Sequence, residues 1–132
     1  MEIHAIGRVE KNGDRTFLIV DGEYTDGLLG IEGFSHIIVI YWLNENDEPE
    51  KRRTLQVHPR HDFSNPLTGV FATRSPLRPN PLALVTCKLL SVEGNRLEID
   101  RIDAFDGSPV IDIKCYTGQD VAKSEPSYPE WL

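Results

Sequence analysis

The stretch GVFATRSPLRPNPLAL, Gly69 to Leu84, sets two arginines, three prolines and an asparagine among apolar residues. Arginine carries a planar fork of donors matched to carboxylate and phosphate. Proline fixes φ and removes a backbone donor, so Ser75 to Pro81 can continue neither a helix nor a central strand. A pre-set loop loses little conformational freedom when a ligand arrives, so Arg74 and Arg78 on such a loop describe an anion-binding site. The same residues also describe a proline-rich connector whose arginines pair with surface carboxylates.

Other residues could do chemistry on a different footing. Asp106-Gly107-Ser108-Pro109 reads as a sharp turn that exposes backbone to close approach, with Phe105 offering an aromatic face beside it; a simple β-turn between strands explains the same four residues. Asp112 and Lys114 share a face of a regular strand and are expected to form a structural ion pair. His36 follows Ser35 in an apolar run and is expected as a satisfied core histidine. His58 and His61, with Asp62 or Cys115, form an HxxH pattern that lacks helical context and a third ligand at a recognisable spacing, so no metal is assigned.

Charge is unevenly distributed. The chain carries a net −7, yet from Lys51 to Lys88 seven Lys and Arg face Asp62 alone, so this segment is +6 and the remainder −13. A cationic segment in an anionic protein fits a localised site for a phosphate backbone or a carboxylate. For Lys51-Arg52-Arg53, pairing with Glu45, Asp47, Glu48 and Glu50 just upstream is the simpler expectation. The 132 residues suffice for a single domain, 1–132, without disulfide or metal staples. Cys87 and Cys115 both sit in apolar, strand-like contexts and are expected as free, buried thiols. With no basic leader and no apolar run of membrane-spanning length, a cytoplasmic protein is expected.

The elements that must position these residues are short strands between turn signals. Strands are expected at Ile3 to Glu10, with Gly7 at a bulge, and at Arg15 to Val20, joined through the hairpin signal Asn12-Gly13. Asp21 to Gly30 reads as a loop or single helical turn, Phe34 to Leu43 as a fully buried central strand, and Asn44 to Glu50 as a polar turn. Further strands are expected at Arg53 to Val57, Gly69 to Thr73, Leu82 to Val92, Arg96 to Ile102 and Val110 to Cys115, with an irregular tail over 118–132. Such a pattern implies an all-β, barrel-like domain with short irregular or helical loops.

Three ordered stretches carry a resemblance. Gly69 to Leu84 resembles the FATRSP-x-RPNP signature of the TrmO family, also called YaeB or TsaA-like; LGIEGFSHIIVIYW, Leu29 to Trp42, resembles its L-x-G-[LI]-E-x-F-S-H strand; and IDAFDGSPVIDIKCY, Ile102 to Tyr116, resembles its D-x-x-DGTPV-x-DIKPY segment. The chain departs from the family pattern at Asn44, where relatives often carry His, at Ala83-Leu84-Val85 in place of GLS, at Cys115, and in having no equivalent of a Pro-Arg-Gln loop after the first strand.

The resemblance implies a small β-barrel, a homodimer, and S-adenosylmethionine-dependent methylation of the exocyclic amine of a modified adenosine at tRNA position 37. It implies that Arg78, Ala104, Phe105, Asp106, Gly107 and Asn44 contact the cofactor, and that Arg74, Arg60 and Lys114 lie toward the RNA. Asn80, Asp103, Asp106 and Asp112 can accept the amine's hydrogens, and the resemblance does not choose among them. A methyltransferase of the same fold acting on a small molecule, and a cofactor-binding module without transferase activity, stand beside this reading.

Overall fold

The computed structural model describes residues 1–132, which form two compact units, Met1–Leu43 with Leu82–Thr117, and Asn44–Pro81 with Gly118–Leu132. No helix is long and apolar enough to cross a membrane.

The first unit is a closed antiparallel barrel of six strands. In chain order these are β1 (Gly7–Asn12), β2 (Arg15–Val20), β3 (His36–Trp42), β6 (Leu82–Glu93), β7 (Arg96–Ile99) and β8 (Pro109–Cys115); β4 (Gln56–Val57) and β5 (Thr68–Gly69) pair separately in the second unit. Around the barrel the order is β1-β2-β7-β6-β3-β8. Two tight hairpins set the register. Asn12 pairs with Arg15 and Glu93 with Arg96, so the two-residue loops are Gly13-Asp14 and Gly94-Asn95. Glycine leads each loop at φ +64° and +60°. A positive φ at that first position alone is the type II′ geometry, whose twist matches the flanking strands. The hairpin signal is thus real, but the turn lies one residue later than Asn12-Gly13 because Asn12 is still paired.

Closure demands bends as well as pairing. The register slips on β6 between Leu89 and Ser91, where it meets β7, and between Ile40 and Tyr41 of β3, where β8 skips Ile111. Gly7 is required by proximity: a Cβ there would stand 2.1 Å from the Ile19 carbonyl oxygen, at the start of β1, where the strand pairs with β2 and β8 at once. The inner wall is Val9, Leu18, Val20, Ile37, Val39, Tyr41, Cys87, Leu97, Ile99 and Val110, all buried.

Several expected elements differ. β1 starts at Gly7 and runs on to Asn12, and β7 stops at Ile99. β3 alternates: Ile37, Val39 and Tyr41 are buried, whereas His36, Ile38, Ile40 and Trp42 are half-exposed. A barrel strand has one inner face, and nothing covers the outer one fully. Cys115 is exposed, while Cys87 is buried as expected; both are free thiols.

In the second unit, α1 (Pro49–Arg52) opens with proline at a position whose missing N–H is never needed. Only Gln56–Val57 and Thr68–Gly69 are strands; Val70–Ala72 is a 3₁₀ turn rather than a continuation of β5. Burial of Val70, with its N–H on the Leu55 carbonyl and its own carbonyl accepting from the Thr73 N–H at 3.1 Å, turns the chain out of the sheet and leaves Phe71 in solvent. Residues 118–132 hold a 3₁₀ turn at Gly118–Asp120 and otherwise no regular structure.

Candidate functional site

In the second unit the proline loop is braced by its own polar atoms. Thr73 Oγ1 donates to the Val70 carbonyl and accepts from the Ser75 N–H, and Ser75 Oγ accepts from the Leu77 N–H. Arg78 Nη1 donates to the carbonyls of Thr73 at 3.2 Å and Ser75 at 3.0 Å. Arg52 grips the far end: its fork lies on the Asp47 carboxylate, and Nη1 donates to the Pro79 carbonyl at 2.6 Å. Lys51 lies 3.6 Å from Glu48. Of the tribasic run, then, Lys51 and Arg52 do pair with upstream acids, and Arg52 also anchors the loop.

Beside this loop runs an open groove of about 1070 Å³, whose walls include Arg60, His61, Phe63, Phe71, Arg74 and Trp131. Arg60 and Arg74, far apart in the chain, are brought to one surface. The strand-less segment that carries Arg60 is strongly shaped: Arg60 and His61 hold φ of +61° and +56°. Side chains disfavour that region, so neighbours must impose it. Asn65 Nδ2 donates to the Pro59 carbonyl, His58 Nδ1 pairs with the Asn65 carbonyl oxygen at 2.9 Å, and the Asp62 carboxylate takes both the N–H and the hydroxyl of Ser64. Those two bonds hold the Asp62 carboxyl below its usual range. His58 is thereby a structural residue, its ring 4.9 Å from that of Phe63.

In the barrel unit the segment after β7 folds back on β1. Asp106 Oδ1 accepts the Lys11 N–H at 2.8 Å, Lys11 Nζ donates to the Ile102 carbonyl, and Gly107 N–H donates to the Val9 carbonyl at 2.7 Å. Tyr41 Oη donates to the Asp103 carbonyl from inside the barrel. Ser108 N–H closes a turn on the Phe105 carbonyl, and Gly107 supplies its φ of +86°. A side chain at the third turn position would be strained there. The result is a fixed ledge: Ala104 and Ser108 are buried, Phe105 is 66% exposed, and the space beside Gly107 is open.

The remaining candidates are placed singly. Lys114 Nζ lies 3.0 Å from Asp112 Oδ2, the expected ion pair on β8, and Asp112 Oδ1 also accepts the Ile113 N–H. Asn44 is exposed at the start of the 3₁₀ turn Asn44–Asn46, and Asn80 is exposed in the proline loop. His36 is half-exposed, 2.7 Å from the Ser35 hydroxyl and ring-to-ring with Tyr116.

Residues 8–120 match the tRNA-methyltransferase O N-terminal domain family, a span that includes the barrel strands from Arg8 onward, the proline loop and the ledge. The chain belongs to that family. It is 48% identical over 112 residues to the probable S-adenosyl-L-methionine-binding protein of Methanocaldococcus jannaschii, covering 85% of this chain and 89% of the relative. It is 40% identical over 89 residues to the tRNA (adenine(37)-N6)-methyltransferase of Mus musculus, covering 67% of this chain but 20% of that protein. The structure of TrmO from P. aeruginosa superposes with a TM-score of 0.75 at 22% identity, over 99% of this chain and 61% of that one, a likeness of fold.

Neither the ledge nor the proline loop is held by its own residues alone. Lys11 and Tyr41 hold the ledge from β1 and β3, and Arg52 holds the loop from α1. Sequence alone leaves these unmarked because each acts on a backbone carbonyl or N–H, which any residue can offer. Phe63 and Phe71 are also unmarked; the one available signal is their placement within a few residues of Arg60 and Arg74.

Proposed function

We propose that this chain uses S-adenosylmethionine to methylate the exocyclic amine of a modified adenosine at tRNA position 37. The observation that carries the reading is the match of residues 8–120 to the family, and with it a methyltransferase that uses this cofactor. The mammalian relative's activity supports the choice of base and position.

Each unit carries groups suited to a part of such a cofactor. The ledge offers an exposed aromatic face at Phe105 and open backbone at Gly107, suited to an adenosine end. Arg78 spends one nitrogen, Nη1, on loop carbonyls, and the rest of its fork suits an amino-acid carboxylate. When bound, the cofactor supplies a methyl group on a sulfonium centre, whose departure as a neutral thioether needs no acid. The chain's task is to align the amine with that methyl, a contribution worth roughly 7–11 kcal/mol in favourable cases. It must also take up the amine's proton. Asp112 is engaged by Lys114 and the Ile113 N–H, whereas the Asp103 carboxylate is exposed, which favours Asp103 as the proton acceptor; the exposed Asn80 amide can accept a hydrogen bond from the amine but not its proton. Arg60 and Arg74 face the anticodon-loop phosphates.

A homodimer belongs to this reading. On the outer face of β3 and β6, Ile40 pairs with Leu84 and Trp42 with Leu82, and Leu84 remains 58% exposed. An apolar stripe on a barrel's outside is a surface that a second copy could cover. The protein would work in the cytoplasm, with its substrate.

Calorimetric titration of S-adenosylmethionine tests the core of the proposal. Arg78→Ala should weaken binding roughly 10- to 100-fold, the effect of losing a charged hydrogen bond, with Arg78→Lys intermediate. A folded Arg78→Ala protein with unchanged affinity removes that role. A small-molecule methyltransferase is the second reading, favoured by the net −7 and by the archaeal relative's name, which specifies only cofactor binding. Methyl transfer to an anticodon stem-loop RNA that weakens steeply with salt decides for RNA; cofactor binding indifferent to RNA decides against it.

A further inference from the structure

Every residue from 117 to 130 is exposed; Trp131, next along, is half-buried, and it lies in the wall of the groove beside the proline loop. The hydrogen bonds of residues 121–132 stay within the segment 118–132: the Val121 N–H donates to the Gly118 carbonyl and the Leu132 N–H to the Pro129 carbonyl. Trp131 is thus the side chain that seats this stretch, presented by the turn from Pro129 to Leu132. A contact made of one half-buried ring opens at low cost. Pro126 and Pro129 restrict the lifted segment, which favours its return. The ground that Trp131 occupies suits a ligand. Arg60 and Arg74 line the same groove with Phe63 and Phe71, and no Asp or Glu does. The Arg78 guanidinium lies on the Thr73 and Ser75 carbonyls, and both residues belong to the groove wall. Trp131 puts an indole into that groove, with the Glu130 carboxylate one residue away. A heterocyclic ring and a carboxylate are also what S-adenosylmethionine carries at its two ends.

We propose that residues 118–132 are an autoinhibitory latch: Trp131 fills part of the groove in the free protein, and S-adenosylmethionine must displace it to bind. The assignment rests on the reading of the proline loop as a cofactor site and adds a regulation of that site. Latch and cofactor exclude each other, so the measured affinity is the affinity of the open groove reduced by the fraction of molecules in which Trp131 is withdrawn. Coupling of this kind is reciprocal: a binder that holds the exposed run 121–130 away from the groove raises cofactor affinity, and the cofactor raises that binder's affinity by the same factor.

The test joins calorimetry of S-adenosylmethionine on the full chain with acrylamide quenching of Trp131 fluorescence, the latter in a Trp42→Phe background because Trp42 and Trp131 are the chain's two tryptophans. Trp131→Ala should tighten cofactor binding roughly 3- to 10-fold, the effect of releasing a half-buried ring, with Trp131→Phe between it and wild type. Quenching of Trp131 should be partial in the free protein and rise toward that of an exposed indole as the cofactor saturates. A Trp131→Ala protein with wild-type affinity overturns the latch and leaves the cofactor reading standing. Weakened binding in Trp131→Ala, with quenching that falls on saturation, also overturns it and makes Trp131 a lid that closes on the ligand. Full quenching before any cofactor is added means that the ring is not seated, which overturns the latch as well. Absence of cofactor binding in wild type and Trp131→Ala alike overturns the latch together with the cofactor reading.

Discussion

Two cysteines of the same sequence character meet opposite fates. Cys87 lies in the barrel interior, where burial pushes its thiol up to about 11 and the Sγ–H donates to the Arg101 carbonyl. Cys115 ends β8 in solvent. Because only thiolate reacts readily, a disulfide reagent at pH 8 should label one thiol in the native protein and two after denaturation; labelling of two without unfolding would contradict the burial of Cys87. Glu98 gives a residue-scale pH signature. Two hydrogen bonds from Arg15 hold its carboxyl below its usual value. The unfolded chain therefore takes up that proton first, so the pair adds stability above the unfolded value of about 4.3, and this is lost as pH falls through the folded one. Thermal denaturation from pH 7 to 3 should show Glu98→Gln less stable than wild type at neutral pH and level with it in acid. A constant gap across that range would exclude the linkage.

At the scale of elements, strands were legible wherever β-branched and aromatic residues ran between glycine-marked turns: β2, β3, β6, β7 and β8 all fall within or close to their expected spans. Two kinds of element were not. Gly69 to Thr73 has strand composition, yet Val70 finds burial only by leaving the ladder, a tertiary demand that local pattern does not carry. Phe34 to Leu43 reads as buried on both faces because a barrel strand with an apolar outside has the same composition as one inside two layers. Glycine likewise hides its reason. Gly7 looked like a bulge, but its role is to let the Ile19 carbonyl pass. Gly7→Ala should cost roughly 1–3 kcal/mol or more, as overpacking of a closed core does, read from the urea midpoint; an unchanged midpoint would mean β1 can move aside.

For the whole molecule, the outer stripe on β3 and β6 bears on assembly. Leu84→Asp would place a charge among Ile40, Leu82 and Trp42, and if the proposed homodimer uses this stripe, sedimentation should show a shift from dimer to monomer with the barrel's circular dichroism retained. A dimer that survives the change lies on another face. The candidate site was legible to the extent that chemistry sits in side chains: Arg74, Arg78 and Asp106-Gly107 were marked by type and spacing. Its supports were not, because Lys11, Tyr41 and Arg52 act on backbone atoms brought near only by folding.

The pairing of Gly7 and Arg8 with Val110 and Pro109 sets a timetable for birth on the ribosome. At about 5–20 residues per second, the hundred-odd residues between these partners take roughly 5–20 s to emerge. Throughout that interval the β1–β2 hairpin can form, but one edge of β1 has nothing to pair with. An open edge recruits other chains. Arg8, Glu10 and Lys11 on that strand make a poor template for a stranger, and conditions that slow translation past Leu82 should penalise yield more than equal slowing before β3.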